Sequence, residues 1–123
     1  MAAEDFRSGT ASGYVCPTCG GALWQQRNGS SPRFRCHVGH AFEALDLWIA
    51  HCEARNAALL RAATAVAENA ALARELAEWA LLDSNPTLAA RMEAEAVAED
   101  DPYRQIETML DGLRVDDSAS SCR

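Results

Sequence analysis

Apolar residues recur at helical spacing through most of the chain. Between Ala44 and Pro86 there is no Gly or Pro, and apolar positions return every three, four or seven residues, as on one helix face. These positions are Leu45, Trp48, Ile49, Cys52, Leu59, Val66, Ala70, Ala73, Leu76 and Ala80. The pattern predicts a helix over about 43–82. Its many alanines would let a second helix approach closely.

A second helix is predicted over 86–112. Asn85 is a good N-cap, and Pro86 suits the first helical position, where its missing N–H costs nothing. The apolar face comprises Leu88, Met92, Ala96, Tyr103, Ile106, Leu110 and Leu113. The Asp-Asp-Pro sequence at 100–102 should disturb the helix, yet the apolar positions keep their phase across it, so a kink is expected there. The two segments predict an antiparallel helical hairpin over 43–113.

The segment 13–42 is built differently, from short runs separated by glycines. Two runs with strand character, 22–26 and 33–35, flank the turn-forming sequence Asn-Gly-Ser-Ser-Pro at 28–32. This order predicts a β-hairpin whose ends lie side by side. The flanking segments 1–12 and 114–123 are small and polar, and we expect them to be flexible tails.

Cysteine and histidine residues lie at both ends of the predicted hairpin. Cys16 and Cys19 form a C-x-x-C knuckle before it, and Cys36-His37-Val38-Gly39-His40 follows it. This spacing is typical of a zinc ribbon, in which two knuckles hold one metal ion. Three thiolates and one imidazole favour Zn²⁺ in a closed structural site, although sulfur-rich ligation also leaves iron open.

The choice of the fourth ligand lies between His37 and His40. Side chains alternate along a strand, so if Phe34 and Cys36 point inward, His37 points outward. Gly39 then allows a turn that brings His40 back beside Cys36. We therefore predict His40 as the ligand and His37 as a solvent-facing residue or a hydrogen-bond partner of the site.

The composition of the chain indicates its cellular location and whether it spans a membrane. The chain of 123 residues carries a net charge of −7, has 25 Ala and contains no Lys. No stretch approaches ~18 uninterrupted apolar residues, so no membrane span is predicted. The N-terminal residues lack the apolar core of a signal peptide, and cysteines beside histidines indicate a metal site in a reducing compartment. The expected location is the cytoplasm.

Two runs, YVCPTCGGALW and RFRCHVGHAF, precede the long Ala/Arg/Glu-rich segment and the sequence LAARMEAEA. Over about 14–113 they resemble the zinc-ribbon and helical-hairpin region found C-terminally in some CheB-like chemotaxis methylesterases. In that family the position of His37 is often Arg, whereas the Gly-His at 39–40 recurs. The resemblance thus implies four metal ligands: Cys16, Cys19, Cys36 and His40. The sequence has no G-x-S-x-G or comparable nucleophile motif, so methylesterase activity is not carried over.

The sequence therefore predicts a mostly α-helical protein, in which a small zinc ribbon precedes a long helical hairpin. The first functional hypothesis is a non-catalytic interaction or regulatory module with a structural Cys3His zinc site. Its hairpin would engage a protein partner or a second copy of the chain. No known catalytic motif is present, which argues against an enzyme.

Two alternatives stay open at this point. A small metal-dependent enzyme, or an accessory subunit of one, would use a pocket between ribbon and helices, with His51 as a candidate residue. A nucleic-acid-binding ribbon would use Arg27, Arg33 and Arg35, but the net charge of −7 opposes binding of phosphates. The sequence names no substrate or small-molecule ligand.

Overall fold

The computed structural model describes residues 9–29 and 31–114. The chain divides into two compact units, one up to Ala54 and one from Arg55 onward. Most of the predicted tails, and Cys122 with them, lie outside the described residues. The end of the predicted N-terminal tail is described, however, and from Thr10 it belongs to a strand.

The first unit contains a four-stranded antiparallel sheet in the order β1-β2-β3-β4. The strands are β1 (Thr10–Val15), β2 (Ala22–Asn28), β3 (Ser31–Cys36) and β4 (Ala41–Glu43). The central pair β2–β3 is the predicted hairpin, with its strands extended so that Asn28 pairs with Ser31. The outer strands β1 and β4 were not predicted, because short polar or glycine-containing runs such as TASGYV have no clear alternation.

The core of the first unit is small and includes two of the predicted metal ligands. Its buried residues are Cys16, Leu23, Phe34, Cys36 and Leu47. Phe34 and Cys36 alternate with the exposed Arg33 and the half-buried Arg35, which confirms the predicted inward and outward faces of β3. Phe42 and Ala44 pack against this core from the end of β4 and the start of the first helix.

Three helices follow: α1 (Ala44–Leu82), α2 (Pro86–Ala98) and α3 (Asp100–Arg114). The side chain of Asn85 caps α2 by accepting the backbone N–H of Leu88 at 3.1 Å. Ser84 takes a left-handed conformation with φ of 55°, and the N–H of Asn85 donates to Ala80 O at 2.7 Å. These contacts satisfy backbone groups at the reversal between α1 and α2.

The predicted kink is a one-residue break at Glu99, slightly before Pro102. Because the break makes Asp100 the start of a new helix, Pro102 falls in a first turn, where its missing N–H leaves no helical bond unmade. Ala96 and Leu110 are buried on the two sides of the break, so the apolar face is retained across it. The helical part is thus a long helix followed by a bent pair.

The apolar pattern included five of the seven buried residues of the second unit but neither Ala77 nor Ala89, and its member Leu88 is exposed. At the start of α1 it was less accurate. The buried residues of the second unit are Ala70, Ala73, Ala77, Ala80, Ala89, Ala96 and Leu110. In contrast, Leu45 and Trp48 are 67% and 59% exposed, whereas Leu47 is buried against the sheet. The first turns of α1 meet a sheet rather than a helix, so a different face is covered there.

Candidate metal centre

Both knuckles lie at the same end of the sheet. The first connects β1 to β2, and the second connects β3 to β4, while the β2–β3 turn lies at the opposite end. The pairing of Leu23 with Cys36 sets the register that places the two knuckles side by side. Two antiparallel hairpins within one sheet therefore bring together residues that are 17 to 24 positions apart.

The first knuckle is closed by backbone hydrogen bonds around Cys16. Its N–H donates to Gly21 O at 2.6 Å, and its carbonyl accepts the N–H of Gly20 at 2.8 Å. Gly20 has φ of 77°, in the left-handed region that residues with a Cβ rarely adopt. This tight turn exposes Cys19 while Cys16 is 1% exposed.

The second knuckle has a similar pair of backbone hydrogen bonds around Cys36, each spanning one residue fewer, although its two candidate ligands are one residue further apart in sequence. The N–H of Cys36 donates to His40 O at 3.0 Å, and the N–H of Gly39 donates to Cys36 O at 3.2 Å. Gly39 has φ of 117°, again a backbone conformation that favours glycine. The turn brings His40 back toward Cys36, as the sequence predicted from the position of this glycine.

Four side chains meet at this end of the sheet: Cys16, Cys19, Cys36 and His40. Their ligand atoms all lie within 4.8 Å of one another, which is close enough to hold one metal ion. The Sγ atoms of Cys19 and Cys36 are 3.7 Å apart. The Nδ1 atom of His40 is 3.3 Å from Cys36 Sγ and 3.7 Å from Cys16 Sγ.

Three of these separations, 3.3, 3.7 and 3.7 Å, lie close to those expected in a tetrahedral zinc site. With Zn–S bonds of about 2.3 Å and Zn–N bonds of about 2.0 Å, neighbouring ligand atoms lie roughly 3.5 to 3.8 Å apart. A disulfide would instead require sulfurs about 2.05 Å apart, and the three cysteines are free thiols. The donor set and its spacing therefore suit a metal ion better than a redox-active cysteine pair.

Hydrogen bonding prepares Cys36 to act as a thiolate. Loss of solvent on burial would raise the pKa of its thiol, but the backbone N–H groups of Gly39 and His40 and the side chains of Cys19 and His40 outweigh it. The pKa of Cys36 is lowered to about 6. At Cys19 the N–H of Gly21 acts to lower the pKa, but desolvation and the thiols of Cys36 and Cys16 leave it raised. A bound cation would stabilise the thiolate form of each of the three cysteines.

The other candidate ligands lie outside the cluster. His37 is exposed in the bend directly after β3, and the four-residue group that could hold a metal does not include it. Cys52 is buried on α1, as its place in the apolar pattern predicted, but it is disulfide-bonded rather than a free apolar residue, and it is not a member of the group.

A separate cavity of about 360 Å³ lies between the sheet and the first turns of α1. Its lining consists of Tyr14, Phe34, Ala44, Leu47, Trp48 and His51. The ring of His51 packs edge-on against Tyr14, with centroids 6.4 Å apart. Its Nε2 atom is buried and has no hydrogen-bond partner among the described residues. Sequence reasoning named His51 but gave no sign of this cavity, because its aromatic lining comes from three separate elements.

The arginines proposed for a nucleic-acid interface do not share one face. Arg35 pairs with Trp24 and Arg33 with Gln26, whereas Arg27 pairs with Pro32 and so lies on the opposite face of the sheet. Arg33 also forms an ion pair with Glu43 at 3.0 Å. The three arginines therefore do not form the single cluster that the nucleic-acid alternative would use, because β2 and β3 present alternate residues to opposite sides.

The chain was compared with known protein families, curated proteins and solved structures, and none of them matches it. Among the described residues, no helix is both long enough and apolar enough to span a membrane. The functional assignment consequently rests on the chemistry of the four-residue cluster itself.

Proposed function

We propose that this chain is a zinc-binding, non-catalytic interaction or regulatory module, in which a Cys3His zinc site holds the sheet together. The observation that carries the proposal is the convergence of four ligand atoms within 4.8 Å at one end of the sheet. Three thiols and one imidazole form a donor set that zinc prefers, and three of the six pair distances lie close to those of tetrahedral coordination.

A structural role follows from the number of ligands. A catalytic zinc ion needs an open coordination position for water or substrate. Four protein donors complete a tetrahedron and leave no such position. The first unit also needs the metal, because two of its five buried core residues are the cysteines themselves. Structural zinc contributes about 10–16 kcal/mol in small peptides, which exceeds what so small an apolar core can supply.

The interaction role is supported by the surface of the helices. The second unit buries mainly alanine side chains and leaves large apolar ones exposed, among them Leu72, Trp79 and Leu82 at 50%, 55% and 85%. The resemblance to the C-terminal region of CheB-like methylesterases agrees with an accessory module, and stays an expectation. A partner protein would bury such side chains.

An enzyme is the weaker alternative. The cavity beside His51 is the feature that favours it, since it lies against the ribbon as that hypothesis requires. None of the four clustered ligands lines it, however, and neither does any carboxylate or thiol. A single histidine without a charged partner or a metal ion is poorly suited to general acid–base catalysis.

Metal removal tests the structural role. The zinc-loaded chain is treated with a strong chelator, and its amide NMR spectrum and far-UV circular dichroism are followed. We expect the dispersed resonances of β1 to β4 to collapse while most helical signal from the second unit persists. A sheet that keeps its resonances without metal would contradict a structural site and favour a catalytic or transport role. Readdition of Zn²⁺ should restore the spectrum.

A further inference from the structure

A groove with a cavity of about 460 Å³ runs between α1 and α3, wholly within the second unit. We call it the α1–α3 groove. On the α1 side its floor contains Ala63, Ala67 and Ala71, which are spaced four residues apart and so lie on one helix face. Tyr103 and Leu110 form the α3 side. The small alanine side chains leave volume beside these larger ones.

An exposed leucine at one end of the groove could contact an apolar side chain of a partner. Leu60 belongs to the lining and is 48% exposed. The groove extends along α1 from Leu60 to Ala71, a length of about 17 Å at the helical rise of about 1.5 Å per residue. That length suits roughly three turns of a helix from another protein.

Carboxylates line the same groove. Glu68 on α1 and Glu107 and Asp111 on α3 are all exposed members of the lining. None of these three forms an ion pair or hydrogen bond within the part of the chain that the structure describes. No arginine lines the groove. Its negative charge is therefore uncompensated by its own walls.

We propose that the α1–α3 groove binds a basic amphipathic helix of a partner protein. An apolar side chain of that helix lies over the alanine floor, and its Lys or Arg residues contact Glu68, Glu107 and Asp111. Helix-in-groove recognition uses this combination of apolar anchors and flanking charge. The inference rests on the proposed function, since it names the surface and the partner chemistry of the interaction module.

The charge of the groove favours a basic helix over a nucleic acid or a second copy of the chain. Residues 55–114 contain six Arg and eleven Asp or Glu, so the unit around the groove is acidic as a whole. The phosphates of a nucleic acid would be repelled by the lining carboxylates. A second copy would bring the same acidic helices to the groove, and like charges would oppose that contact.

The test uses the full zinc-loaded chain and a fluorescein-labelled 18-residue peptide. Leu occupies one helical face of the peptide, and Arg occupies the remaining positions; a matched peptide carries Glu in place of Arg. Anisotropy titrations compare the wild type with the triple variant Glu68→Gln, Glu107→Gln and Asp111→Asn. The control triple, Glu78→Gln, Glu93→Gln and Glu95→Gln, makes the same charge change on exposed residues outside the groove.

A second pair of variants tests shape rather than charge. Ala67→Leu places a larger side chain on the groove floor, and Ala94→Leu makes the same change at an exposed position of α2 outside the groove. We expect the triple variant in the groove to bind the basic peptide about tenfold more weakly, because it loses three exposed ion pairs of about 0.5 kcal/mol each. The control triple variant should bind within about twofold of the wild type. Ala67→Leu should weaken binding and Ala94→Leu should not.

Several results would overturn the proposal. These are no binding by the wild type, equal losses in the two triples, or equal binding of the acidic peptide. A wild-type dimer that the groove triple dissociates would show a second copy as the occupant instead. Metal content is measured in the same samples: full zinc loading without peptide binding removes only the groove proposal, whereas absence of zinc removes the proposed function.

Discussion

The Nδ1 atom of His40 lies 3.3 Å from the Sγ atom of Cys36, and the backbone N–H of His40 donates to that same sulfur at 3.2 Å. One short turn therefore presents an imidazole ligand and also stabilises a neighbouring thiolate. The turn depends on Gly39 and on the sheet register that ends β3 at Cys36. The turn at Gly39 and the end of β3 therefore set the positions of Cys36 and His40 relative to each other.

Replacing Gly39 with Ala should weaken metal binding. The φ of 117° at Gly39 is unfavourable for any residue with a Cβ, and no atom lies within 4 Å of the added methyl group, so the effect comes from the backbone alone. We expect a cost of about 1–2 kcal/mol, measured as a lower zinc affinity in competition with a chromogenic chelator.

The matched control for that change is Gly112→Ala. Gly112 lies in α3 without a left-handed φ, and an added Cβ there again meets nothing within 4 Å. Alanine is favoured over glycine in helices, so this variant should gain about 0.5–1 kcal/mol of stability and leave zinc affinity unchanged. Equal effects of the two substitutions would contradict the argument.

Loss of the helix cap at Asn85 should destabilise the second unit. Asn85 Oδ1 accepts the N–H of Leu88, which has no helical acceptor of its own. Asn85→Ala should lower the free energy of unfolding by about 1 kcal/mol in urea, followed by circular dichroism at 222 nm. Asn69→Ala, at an exposed position inside α1, should be neutral or slightly stabilising. If both variants behave alike, the cap contributes nothing measurable.

Substitution of His51 by Phe should stabilise the first unit. The Nε2 atom of His51 is buried without a partner among the described residues, and an unsatisfied polar group costs about 1–3 kcal/mol. Phenylalanine retains the edge-on packing against Tyr14 and removes the polar atom. The expected result is a higher midpoint in thermal unfolding of the zinc-loaded chain. A lower midpoint would mean that Nε2 has a partner in solution, such as a bound water.

Cobalt substitution should report the thiolate ligands. Co²⁺ in a Cys3His site gives intense tetrahedral absorption bands and a thiolate charge-transfer band in the near ultraviolet. Cys19→Ser removes one of three thiolates and should reduce the charge-transfer band by about a third. A weak, octahedral-type spectrum of the wild type would contradict the predicted ligand set.

The sequence was most informative where local chemistry decides the structure. The cysteine spacing and Gly39 were enough to predict which four side chains converge, because metal ligands and left-handed turns leave few alternatives. The long helix was predicted for a similar reason, since its 39 residues contain no Gly or Pro and favour only one regular element.

Features that depend on tertiary packing were harder to predict. Strands β1 and β4 are short, and they are strands because they pair with β2 and β3, not because of their own composition. Leu47 rather than Trp48 is buried because the first turns of α1 pack on the sheet. The separation of Arg27 from Arg35 also needed the observed register, which a sequence pattern does not give.

Metal content of three matched proteins tests the central claim most directly. The wild type, His40→Ala and His37→Ala are purified from medium without added metal and measured by elemental analysis. The account predicts one zinc per chain in the wild type and in His37→Ala, because His37 lies outside the cluster, and much less in His40→Ala. A wild type without zinc, or zinc lost from His37→Ala and retained by His40→Ala, would contradict it.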